Sequence, residues 1–472
     1  MAGIRTDEEA VNIRFIATIV MVATIGGFMF GYDSGVINGT QKGLEAAFDL
    51  GRFGIGVNVG AILVGSSIGA FSAGRLADRI GRRSVMILAA VLFVGSALLA
   101  GAAPSSSVFI FARIIGGLGV GAASVISPVY ISEVTPAAIR GRLSSVQQVM
   151  IITGLTGAFV ANFFLARYAG GSTADFWLGE KAWRWMFWLQ AIPATIYFFA
   201  LLGIPESPRY LVVKGRDAEA EAVLTRLFGP ATAARKVGEI RASLAGDHHK
   251  PKLSDLISKS TGRIRPIVWA GIGLAVFQQL VGINVVFYYG ATLWEAVGFS
   301  EDYALQTNIL SGVLSIAACL FTIATVDRIG RKPLLLIGSA GMAVTLATVA
   351  YAFSTAVTDA GGAVSLPGHN GLIALVAANL YVIFFNASWG PIMWVMLGEM
   401  FPNQIRGSGL AVAGFAQWIA NALISVSFPS LAVSPGLSVT YFGYAFFAAV
   451  SFFFVRAMVT ETRGRELEDM IG

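Results

Sequence analysis

Charge is scarce in this chain. Only 13% of its 472 residues are Asp, Glu, Lys or Arg, against about 25% in an ordinary soluble domain, and that shortage excludes a water-soluble globular enzyme. Cysteine is nearly missing too. The single Cys319 has no internal partner for a disulfide and leaves the redox compartment open. The three histidines, His248, His249 and His369, lie in polar loops without metal-ligand spacing. No nucleophile motif surrounds them, and the sequence has no Gly-x-x-x-x-Gly-Lys-Ser/Thr phosphate loop. No cofactor or metal is called for, and the net charge of +6 asks for no nucleic acid, because basic loops flank any membrane protein.

What fills the chain instead is apolar sequence: 56% hydrophobic residues, a mean hydropathy of +0.72 and 55 glycines. Glycine weakens helices in water but lets helix backbones approach closely in a bilayer. Apolar runs long enough to cross a membrane fall at about 15–37, 54–74, 85–103, 108–131, 143–166, 184–204, 266–290, 305–325, 334–355, 371–397, 408–430 and 438–458. The first run follows an acidic tail and has no small-residue cleavage site, so it reads as a retained span. Of the 33 Lys and Arg, 27 fall on the face that carries both termini, five on the other and Arg113 within a span. The positive-inside rule then places both termini in the cytoplasm.

The expected fold is an all-α membrane protein of twelve transmembrane helices in two six-helix halves. Residues 1–204 form the first half, 205–265 a cytoplasmic linker, 266–458 the second half and 459–472 a short cytoplasmic tail. Helical periodicity in Asp217–Phe228 and around Lys236–Leu244 predicts short surface helices in the linker; a flexible tether is the alternative. An internal repeat supports the two halves. Asp78-Arg79-Ile80-Gly81-Arg82-Arg83 returns as Asp327-Arg328-Ile329-Gly330-Arg331-Lys332, and Glu133-x-x-Pro136-x-x-Ile139-Arg140-Gly141 returns as Glu399-x-x-Pro402-x-x-Ile405-Arg406-Gly407. A weaker echo pairs Pro205-Glu206-Ser207-Pro208-Arg209 with Glu461-Thr462-Arg463-Gly464. Two like-oriented repeats suit a protein whose halves rock around a central site.

Those repeated loops, Pro-Glu-Ser-Pro-Arg and Gln278-Gln279-Leu280-Val281-Gly282-Ile283-Asn284 resemble the sugar porter family of the major facilitator superfamily over essentially the whole chain. The resemblance is greatest to bacterial sugar:proton symporters. It implies a multi-pass protein of the bacterial inner membrane that imports a monosaccharide, hexose or pentose, together with a proton by alternating access. A passive uniporter is the runner-up, and a membrane sugar receptor the third reading, for which the short tail offers little signalling sequence. The expected partners are the sugar, the proton and the lipid bilayer.

Asp33 and Arg113 are the two ionisable residues well inside spans, and a charge there is a functional hypothesis because it is costly unpaired. At 1.5 Å per residue, Asp33 lies about 27 Å along the first span and Arg113 about 8 Å below the outer surface, at depths compatible with contact. Burial favours the neutral acid and a guanidinium the carboxylate, so conformation would decide its charge. The resemblance makes Asp33 the proton carrier and Arg113 its partner; a purely structural ion pair is the alternative.

A sugar needs amides for its hydroxyls and rings for its C–H faces. Gln278, Gln279 and Asn284 are candidates, although Gln279 and Asn284 point about 140° apart on a regular helix. Their convergence therefore requires local unwinding near Gly282 and Gly290, without which they would merely glue helices together. By resemblance the site also takes Phe30, Gln148, Trp394, Gln417 and Trp418, with Tyr288 and Tyr289 as an outer gate. Tyrosines at a span end otherwise form an interfacial belt, and Trp183 and Trp185 read as such anchors. Two positions depart from the family pattern: Leu155 replaces a glutamine and Ser315 an asparagine.

The repeated charges can pair across the two halves as a cytoplasmic latch, and the resemblance implies that they close that side when the cavity opens outward. The latch residues are Asp78, Arg82, Glu133, Arg140, Glu206, Asp327, Arg331, Glu399 and Arg406. Headgroup anchoring is the alternative for any single arginine.

Overall fold

A computed structural model describes residues 11–246, 253–258, 262–358, 364–402 and 405–463. His248, His249 and Gly464 lie outside the described residues, as do the side chains of Arg140 and Arg406. A bilayer offers no water to backbone N–H and C=O groups, so apolar runs of this length must be helical, and they are. The spans are Ile13–Val36, Arg52–Ile80, Arg82–Ala102, Ser106–Val134, Ala137–Ala169 and, as span six, Ala182–Leu189 with Ala191–Leu202. The second half has span seven as Pro266–Leu280 with Ile283–Ala296, then Glu301–Ile329 and Arg331–Ser354. Span ten is Asn370–Asn386 with Trp389–Met400, followed by Arg406–Leu431 and Leu437–Met458.

Helix length and composition alone give 11 candidate spans, because Gly407–Met458 runs on as one stretch of 52 residues. At 1.5 Å per residue that stretch would measure about 78 Å, more than twice a hydrocarbon core. It crosses twice, turning where Ser434 leaves helical geometry and Gly436 takes φ 104°. Twelve spans in two halves result.

Local sequence sets the helix ends. Asn12 and Ser300 accept N-cap hydrogen bonds from Phe15 and Tyr303 at 3.1 and 3.4 Å, and Pro266 opens span seven where no N–H is needed. Gly81 and Gly330 close spans two and eight with φ 101° and 100°, a left-handed turn that favours glycine. The linker carries helices Pro208–Val213, Asp217–Phe228 and Pro230–Gly246. It is tied to span one by the Asn12 N–H donating to the Leu227 carbonyl at 3.0 Å.

Small residues draw the spans together. In the first half the Gly31 backbone lies against the Ile151 carbonyl and Gly154 against that of Phe28, locking spans one and five. The halves meet where Gly56 of span two approaches the Val426 carbonyl of span eleven, and where Gly312 of span eight approaches Thr156 of span five.

Candidate functional site

Span seven is broken at Gly282, which takes φ 78°. A side chain there would face both backbone strain and the ring of Tyr444. The break turns the two half-helices so that Asn284 Nδ2 donates to Gln279 Oε1 at 2.6 Å, a contact that a regular helix forbids. Gln279 Nε2 then donates to Gln278 Oε1 at 3.1 Å, and Gln278 Nε2 to the Trp389 and Gly390 carbonyls at 3.1 and 3.3 Å. Those carbonyls stand at the break in span ten. The unwinding expected near Gly282 is present; at Gly290 the helix runs on, because Gly290 serves close packing against Asn308 and Asn38 instead.

Phe30 of span one and Trp418 of span eleven face one another with ring centroids 6.0 Å apart, and so join the two halves. Gln417 is buried with its amide oxygen unpartnered, free to accept a donor. Gln148 is half-buried on span five. Trp394 is 41% exposed, whereas its neighbour Trp389 is buried and donates to Ser339 Oγ at 3.0 Å. Leu155 is buried against Gly35 of span one. Ser315 accepts from Asn386 Nδ2 at 3.1 Å, so an amide absent from span eight is supplied by span ten. Asn386 was missed in the sequence, because nothing along the chain shows which polar residue of span ten lies opposite Ser315.

Asp33 and Arg113 meet. Arg113 Nη1 donates to Asp33 Oδ1, Nη2 donates to the Asp33 carbonyl at 3.0 Å, and both side chains are wholly buried. The Phe187 ring lies 5.7 Å from the guanidinium. The Tyr288 hydroxyl interacts with Ser34, beside Asp33, and with Asn421 of span eleven.

Both gate tyrosines are buried rather than set in an interfacial belt. Tyr289 donates to the Ser425 carbonyl at 2.6 Å, and Gln41 Nε2 donates to the Tyr288 carbonyl. Around them the end of the molecule away from the termini is closed by bonds between the halves. Asn38 donates to the Phe287 carbonyl at 2.7 Å and accepts from Asn308 Nδ2 at 2.8 Å and the Ala291 N–H at 3.2 Å. Gln41 accepts from Thr292 at 2.9 Å, and Lys42 pairs with Glu295. Sequence reasoning missed this closure, since only tertiary structure brings residues 38–42 to 287–308. Trp183 corrects an expectation: it is buried against Gly43 and Phe48, while Trp185 stays near the surface, stacked on Trp177.

At the opposite end the repeated loops fold into two matching clusters. Arg82 pairs with Asp78 at 3.1 Å and Glu133 at 3.2 Å, and Ser207 Oγ donates to Glu133 at 2.5 Å. Arg331 pairs with Asp327 and Glu399, each at 2.9 Å, and Thr462 Oγ1 donates to Glu399 at 2.6 Å. Each of these bonds stays within one half and the segment that follows it; the pairing across the halves was expected for the outward-open state. Glu206 accepts the Arg82, Arg83 and Ser207 N–H groups at 3.0, 3.1 and 2.8 Å. It thereby caps span three, where an anion meets the positive end of the helix dipole. Glu461 does the same for span nine through Arg331 and Lys332 at 3.0 and 2.9 Å. Burial raises the Glu461 carboxyl, but the N–H donors of Arg463, Arg331, Lys332 and Thr462 outweigh it and hold the group below the ordinary carboxylate range.

The family model described as "Sugar (and other) transporter" matches residues 19–471. The chain is 49% identical to a glucose transport protein of Synechocystis, covering 98% of each chain. It is 37% identical to the D-xylose-proton symporter of Escherichia coli K12, covering 97% of this chain and 96% of that one. Among solved structures, the inward-open xylose transporter of E. coli superimposes with a TM-score of 0.82 at 35% identity, covering 96% of this chain and 99% of that one. The proton:xylose symporter bound to 6-bromo-6-deoxy-D-glucose gives 0.79 at 37% identity, covering 97% of this chain and 99% of that one.

Proposed function

The chain belongs to the sugar porter family of the major facilitator superfamily, so it is a multi-pass sugar transporter and not an enzyme, and on that footing we propose that it imports a monosaccharide with a proton. Glucose-like and xylose-like aldoses are the first substrates to test, given the relatives named for those sugars. The proposed setting is a bacterial inner membrane with both termini in the cytoplasm, as the distribution of Lys and Arg favours. The end closed by Asn38, Gln41 and Lys42 is then periplasmic, a closure that suits an inward-facing state.

The observation that carries coupling is the buried Asp33–Arg113 pair. Protonation of the Asp33 carboxyl would release Arg113 from that pairing. Gln278, Gln279, Asn284 and Asn386 offer amide donors and acceptors for sugar hydroxyls, joined by Gln148 and Gln417. Phe30, Trp394 and Trp418 offer rings. Tyr288 and Tyr289 close over the site on the periplasmic side. The clusters around Arg82 and Arg331, with Arg140 and Arg406, exchange their partners across the halves when the periplasmic side opens.

In proteoliposomes, counterflow of a labelled sugar panel identifies the substrate, and an imposed pH gradient drives its accumulation. Asp33→Asn abolishes that accumulation while sugar exchange persists. Accumulation surviving in Asp33→Asn removes Asp33 as the carrier; rapid equilibration without gradient-driven uptake in the parent protein identifies a uniporter, and binding without flux a receptor.

A further inference from the structure

Asp33 uses its two carboxylate oxygens unequally. Oδ1 accepts from Arg113, whereas Oδ2 is buried without a partner. A Cβ added to Gly116 of span four would stand 2.8 Å from that Oδ2 and 2.5 Å from Ser96 Oγ of span three. Both oxygens therefore crowd the same side of Gly116, a close approach that only the missing Cβ allows. Ser96 is 2% exposed, and its hydroxyl donates to the Ala112 carbonyl at 2.8 Å. A serine oxygen that has given its proton away still has lone pairs to accept with. It has nothing to donate to a carboxylate, but it is an acceptor for a carboxylic acid.

We propose that Ser96 is a positioning residue for proton coupling: it accepts the hydrogen bond of neutral Asp33 once the proton sits on Oδ2. This deepens the reading of Asp33 as the proton carrier and rests on it. When alternating access brings a proton to Asp33, it forms the Oδ2–H bond, which turns over Gly116 toward Ser96 Oγ. Oδ1 loses its charge, and its hold on Arg113 weakens. The charged group paired with Asp33 is Arg113 of span four, and the buried Tyr288 hydroxyl of span seven lies near both. Phe187 of span six contributes only its ring.

The test is the pH profile of sugar accumulation in proteoliposomes. Ser96→Ala lowers the pH of half-maximal accumulation by about one unit, a tenfold loss of proton affinity, and Ser96→Thr, which keeps the hydroxyl, restores the parental midpoint. Asp33→Asn run in parallel separates the two claims. Accumulation in Asp33→Asn refutes the carrier itself; its loss there, with a parental pH profile in Ser96→Ala, refutes the role of Ser96 alone. If Ser96→Ala does not fold, Ser96→Cys, whose sulfur accepts only weakly, carries the same expected shift and the same refutation.

Discussion

One backbone torsion organises the amide cluster. Gly282 holds φ 78° beneath the Tyr444 ring, and its conformation alone lets Asn284 reach Gln279. Gly282→Ala costs about 1–2 kcal/mol from the left-handed backbone, before any displacement of Tyr444. Its expected signature is a lower Tm by thermal unfolding, together with weaker sugar binding by titration calorimetry. A lower Tm with parental affinity would mean that the amides do not need the break. At this scale the sequence was informative where chemistry is rare. An acid and an arginine within spans are costly enough to mark themselves; their depths along two helices allowed contact, and the family resemblance paired them. Asn386 did not mark itself. An amide on an apolar span is ambiguous until the neighbouring span shows what it bonds.

Whole elements were the most legible, because hydropathy reports directly on what lipid tolerates. The apolar runs match the helices, apart from extra turns that extend spans such as Arg52–Ile80 and Ala137–Ala169 past the hydrocarbon. Helix breaks were less legible. Glycine in span seven signalled one, and the interruptions at Gln190 and at Ala387–Ser388 lie just before Pro193 and Pro391, whose rings displace the carbonyl four residues earlier, a signal the sequence reading did not use. The weak echo between Glu206 and Glu461 proved to be paired helix caps, a role invisible without the spans they cap. Glu461 supplies the pH-dependent element. Its carboxyl is held below the ordinary carboxylate range, so the folded state binds this proton less readily than the unfolded chain. The resulting stability is complete above the ordinary carboxylate range and lost as pH falls through the lower, folded value. Glu461→Gln should therefore flatten the fall in Tm between neutral and strongly acidic pH; a parental slope would show that the cap carries no net stability.

For the molecule as a whole, closure at one end is what the sequence could not reveal, since it depends on how the halves dock. Lys42 and Glu295 pair across that seam. Lys42 is about half exposed, so the pair is worth about 0.2–1 kcal/mol. Lys42→Glu sets two carboxylates against each other and shifts the conformational balance toward opening by about fivefold for each kcal/mol. Labelling of a cysteine placed in the site, from the side opposite the termini, reports the shift. The exchange Lys42→Glu with Glu295→Lys should return labelling to the parental rate; failure to do so would locate the closure in Asn38 and Gln41 alone.

Asp33 is the one fully buried acid among the described residues. On the proposed coupling through Asp33, a single carboxyl would give each turnover one place to take up a hydrogen ion, and a neutral sugar would bring no compensating anion. Each import cycle would then carry one positive charge inward, and the voltage across the bilayer would fuel uptake alongside acidity.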